Sequence, residues 1–62
     1  MKYLITAHLK LDYGAKDKMP QTIGETQRIV EAENREDAVR KICRIDTGSI
    51  QKYWVIANII EL

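Results

Sequence analysis

The chain has 62 residues, with 45% hydrophobic and 31% charged side chains, values of an ordinary globular sequence that argue against disorder or a fibrous repeat. Ten Lys and Arg stand against nine Asp and Glu, and there is one Cys. That balance excludes a strongly basic nucleic-acid tail and an acidic DNA mimic, and the single thiol excludes a disulfide framework and a Cys-based zinc site.

Residues 2–11 alternate, with Tyr3, Ile5, Ala7, Leu9 and Leu11 on one face and Lys2, Leu4, Thr6, His8 and Lys10 on the other. A period of two predicts a half-buried strand. Met1 leads straight into it, with no apolar leader and no cleavage site, which predicts a complete chain without targeting segment. Residues 12–21 combine Gly14, Pro20, aspartates and lysines and read as a long, mobile loop.

Residues 22–33, rich in Thr, Ile and Val, predict a second strand. Val30 and Ala32 point at the core and Ile29 away from it. Ile23 has the parity of Ile29, which allows a bulge near Gly24. Asn34 is an N-cap, with Glu36 and Asp37 in the first turn and Arg40, Lys41 and Arg44 toward the end, the order that complements a helix dipole. Ala38, Val39, Ile42 and Ile45 form an apolar stripe, with Cys43 beside it. Gly48 is the expected stop, so the helix spans roughly 35–46.

Residues 50–61 form the last strand, apolar on both parities. Tyr53, Val55, Ala57 and Ile59 share one face, and Trp54, Ile56, Ile60 and Leu62 the other. The whole chain, 1–62, is then one α+β domain of order β-β-α-β. The helix is a crossover, right-handed by preference, and returns the last strand beside the first. The predicted sheet order is 2-1-3, with Ala38, Val39 and Ile42 packed on Tyr3, Ile5 and Ala7.

The residues suited to chemistry are sparse. His8 and Cys43 are the only soft metal ligands, too few for a zinc site. They read as an exposed or half-buried imidazole and a packed thiol. Asp46-Thr47-Gly48-Ser49 matches the aspartic-protease tripeptide, yet that chemistry needs two aspartates sharing a proton, and here a tight turn explains the composition. Glu31 and Glu33 share a solvated strand face without a pocket to raise one pKa. Gly14 and Gly24 belong to no phosphate-binding fingerprint. These readings predict neither catalytic residues nor a cofactor. No apolar run is long enough to span a membrane. The free thiol fits a reducing, cytoplasmic compartment.

One helix covers one face of a three-stranded sheet. Leu4, Ile29, Trp54, Ile56 and Ile60 are therefore expected on the other face, as a patch of the kind that marks association. Trp54 serves as anchor, and Tyr13 in the loop extends the contact. A chain this short has a marginal core of its own, which favours a homodimer or a protein partner. The competing surface is a basic helix patch, Arg40, Lys41 and Arg44 with Lys52, that would bind RNA or DNA.

The run RIVEAENREDAVRKI, residues 28–42, resembles a strand-to-capped-helix pattern of small bacteriophage-encoded proteins, anti-CRISPR inhibitors among them. It is similar also to archaeal ribosomal proteins of the LX type, which are more basic. The phage resemblance implies a β-β-α-β accessory protein that binds and inhibits or modulates a host factor. It carries over no functional residue.

Overall fold

Alternation in two segments and a capped apolar stripe between them build the architecture directly. A computed structural model describes residues 1–14 and 16–62; Ala15, within the expected loop, lies outside the described residues. Strand β1 (Lys2–Leu11) is followed by β2 (Gln21–Glu31), helix α1 (Arg35–Cys43) and β3 (Lys52–Glu61). Both outer strands run antiparallel to β1, and the sheet order is β2-β1-β3, as the sequence predicted. Gln21, expected in the loop, opens β2, where it pairs with Leu11.

The core forms where the period-two and period-3.6 stripes meet. Tyr3, Ile5 and Ala7 are fully covered by Ala38 and Ile42, with Ala32 closing the end. Val39 is only half-buried. Val30, Ile45, Trp54, Ile56 and Ile59 pack around this cluster.

Asn34 caps the helix as its sequence position demands. Its Oδ1 accepts the Asp37 N–H at 2.8 Å, and Asp37 Oδ2 accepts the Glu33 N–H at 3.2 Å. One amide that the helix leaves unpaired, that of Asp37, is thus satisfied, and the Asp37 carboxylate in turn holds the residue before the cap.

The helix ends earlier than expected. Arg44, in ordinary right-handed conformation, is the C-cap, and Ile45 closes the last turn with a bond to the Ile42 carbonyl. Gly48 is not the cap. It sits at φ +80° in the following turn, where its N–H meets Asp46 Oδ1 at 2.8 Å. Asp and Asn side chains compete for nearby main-chain amides in this way, and the turn they make needs a glycine. Thr47 Oγ1 donates to the Ser49 and Lys52 carbonyls and holds the connection to β3.

Both outer strands are bulged. On β2, Leu9 pairs with Gly24 and Lys10 with Thr22, which leaves Ile23 as the extra residue beside the expected glycine. On β3, Thr6 pairs with Asn58 and Ala7 with Ile56, which leaves Ala57 without a partner. A bulge inserts one residue and reverses the alternation beyond it. This second bulge corrects the sequence reading. Trp54 and Ile56 do not lie opposite the helix; they pair with Leu9 and Ala7 on the helix side and pack on the core. Tyr53 and Val55 take their place on the other side.

Candidate protein-binding face

The helix-free face can be read row by row from the two ladders. Ile29, Leu4 and Ile60 form one row across all three strands. Next come Gln27, Thr6 and Asn58, then Glu25, His8 and Val55, then Thr22, Lys10 and Tyr53. Lys2 and Glu31 end the face above the apolar row. Cross-strand neighbours on one face stand about 5 Å apart, so each row is a contact set.

The first row is the apolar centre. Ile29 is 65% exposed and Ile60 47%, flanking a half-buried Leu4. Tyr53 and Val55 continue the apolar surface down β3, at 41% and 39% exposure. Of the partner-binding residues expected from sequence, Leu4, Ile29 and Ile60 meet here. Tyr13 is exposed in the loop after β1, beneath the Lys18 ammonium at 5.8 Å, outside these rows. Tyr53 and Val55 were missed. The only hint was that β3 is apolar on both parities, which permits a switch of faces without saying where.

The polar rows are internally matched. Gln27 Nε2 donates to Thr6 Oγ1 at 3.4 Å, Lys10 Nζ donates to Thr22 Oγ1, and His8 Nε2 lies 3.8 Å from Glu25 Oε1. Each pair spans β1 and β2.

Arg40 and Lys41 lie in the last turn of the helix, which Arg44 caps. Arg40 and Lys41 stand 3.8 and 3.6 Å from the Asp37 carboxylate, and Lys41 also donates to the Glu31 carbonyl at 2.7 Å. Arg44 is exposed at the helix end, and Lys52 opens β3 just past the turn that follows it, paired with Leu11. The Glu33 N–H, followed by desolvation against it and by Lys41 and Arg40, leaves the Asp37 carboxyl below its ordinary pKa. These cations support one carboxylate and the helix end.

His8 and Cys43 lie on opposite sides of the sheet: His8 on the helix-free face, Cys43 on the helix that packs on the other. Cys43 is exposed, not packed as expected. Among the described residues no three His, Cys, Asp or Glu side chains gather as a metal site. Asp46 is engaged in its turn. An open groove of about 570 Å³ at the helix start is lined by Met1, Tyr3 and Ile59 together with Asn34, Arg35, Glu36 and Glu61. No helix among the described residues is long and apolar enough to cross a membrane. No family model, curated protein or solved structure matches the chain.

Proposed function

We propose that this is a small non-enzymatic protein-binding module that works through the helix-free face of its sheet. The observation that carries the reading is the Ile29–Leu4–Ile60 row, extended by Val55 and Tyr53, with no element among the described residues laid over it. The chain exposes 4645 Å², where a folded monomer of 7.2 kDa is expected to expose about 4,100 Å². Apolar groups gathered on one face of so small a sheet gain free energy when a second surface excludes water from them, at about 25 cal/mol per Å². The resemblance of residues 28–42 extends the reading to a phage or mobile-element accessory protein that modulates a host factor in the cytoplasm.

The test is comparative capture. Immobilised wild-type protein is exposed to bacterial lysate beside Val55→Asp, Ile60→Asp and the helix variant Arg44→Glu. A protein retained by wild type and Arg44→Glu at high salt, and lost from both face variants, is the expected result. Retention of RNA or DNA that weakens steeply with salt and depends on Arg44 would replace this reading with a nucleic-acid module.

A further inference from the structure

The helix-free face is complementary to itself. Along β1 it presents Lys2, Leu4, Thr6, His8 and Lys10; along β2, in the same rows, Glu31, Ile29, Gln27, Glu25 and Thr22. Base stands beside acid, apolar beside apolar, hydroxyl beside amide, imidazole beside carboxylate, and amine beside hydroxyl. A closed dimer requires a patch that meets its own image under a twofold axis. An axis parallel to the strands and midway between β1 and β2 exchanges these two columns. It brings Lys2 over Glu31, Leu4 over Ile29, Thr6 over Gln27 and His8 over Glu25 of the second copy, each contact made twice.

Two other axes fail on charge and polarity. An axis along β1 itself sets Lys2 on Lys2 and Lys10 on Lys10. An axis across the strands at Thr6 sets Lys2 on Lys10, Leu4 on His8 and Ile29 on Glu25. Like charges in contact and carboxylates on apolar groups both oppose association.

We infer that the face binds a second copy of this chain, β1 of each over β2 of the other, about the strand-parallel axis. The inference rests on reading this face as a docking surface and names its occupant. Aligned sheets cross at about 30°, so rows match best near the crossing point. Burial of Leu4 and Ile29 fixes that point, and the Lys2–Glu31 row lies next to it, about 7 Å away along the strand. Strand β3 lies outside the exchanged columns. Tyr53 and Val55 therefore stay open in the dimer, available to a different protein.

Charge-swapped variants test the pairing. Lys2→Glu sets acid against Glu31 of the second copy, and Glu31→Lys sets base against Lys2. Sedimentation equilibrium of each alone should show the dimer dissociation constant raised about tenfold. An equimolar mixture should return it to the wild-type range, since the two variants complement each other across the axis. Any loss arising within one chain cannot be rescued by mixing. Leu4→Asp should leave a monomer, and Val55→Asp should leave the dimer intact. A wild-type monomer at all concentrations overturns the inference, as does a dimer indifferent to both swaps or swaps that fail to rescue on mixing. A monomer whose protein capture is still lost in Val55→Asp and Ile60→Asp would overturn the second copy alone and leave the docking face standing.

Discussion

The indole N–H of Trp54 donates to the main-chain carbonyl of Ile45, 3.2 Å away. This bond ties β3 to the turn that follows the helix, and it exists because Trp54 lies under that turn and not on the open face. Buried indoles find an acceptor for their one polar atom, and an unmade bond of this kind is costly. Trp54→Phe keeps the ring and deletes the donor. It should lower stability by about 0.5–1.5 kcal/mol in urea unfolding. As the only Trp, the indole also reports its own environment. Its emission should be blue-shifted in the native state and red-shift on unfolding, and Val55→Asp on the other face should leave it unchanged.

The bulge at Ala57 makes a second, sharper expectation. Ala57 is the residue of β3 that has no partner across the ladder. Deleting it joins Ile56 to Asn58 and restores plain alternation, with every existing pair retained. That deletion should cost no more than about 1 kcal/mol, the range of an ordinary surface change. Deleting Val55 instead turns a large core side chain outward: Trp54 if the Ala57 bulge is kept, or Ile56 if the bulge is taken into the ladder. That should cost about 2–5 kcal/mol, as emptying a core site does. Thermal melts of the two deletions, with Trp54 emission as the reporter, separate them.

These two residues mark the limit of what could be read in advance. β1 is regular over its whole length, so Tyr3, Ile5 and Ala7 inside and Leu4 outside followed from parity alone. Asn34 and Asp37 announced the helix start because capping is local chemistry. Ile29 followed from β1's partner strand, and Gly24 marked the bulge beside it. β3 offered no such mark. Ala57 has neither positive φ nor a turn residue's character, and apolar groups on both parities fit either face. The choice was made by packing, since Trp54 fills the space beside Ile45 that a nine-residue helix leaves open. The same limit applied to the helix end, where Asp46 and Gly48 form a turn of their own instead of a cap.

Ile42 is the helix's largest fully buried side chain, packed in the core with Tyr3 and Ile5. The helix runs about 13 Å against strands of about 33 Å, so a few residues carry its whole attachment. Ile42→Ala should cost about 2–5 kcal/mol through lost transfer energy and the cavity left behind. In a domain of this size each kcal/mol shifts the melting temperature by about 4–8 °C. Calorimetry of Ile42→Ala beside the exposed Ile50→Ala should show a large fall for the first and nearly none for the second.

Acid should loosen the helix start before the sheet. The Asp37 carboxylate accepts the Glu33 N–H and faces Lys41 and Arg40, which leave its pKa below the ordinary value once desolvation is set against them. A carboxyl depressed in the folded state contributes stability that is present above its unfolded pKa, near 3.9, and is lost as pH falls through the lower folded value. Protonation there removes the acceptor's charge from the Glu33 amide and the partner from both cations, all at the first turn of a short helix. Circular dichroism melts from neutral pH downward should be flat until the carboxylate range and then fall. Asp37→Asn keeps an acceptor for the Glu33 amide without the charge. It should start less stable at neutral pH and lose less on acidification, so that the two curves converge at the acid end. Parallel curves across the whole range would assign the acid sensitivity to other carboxylates.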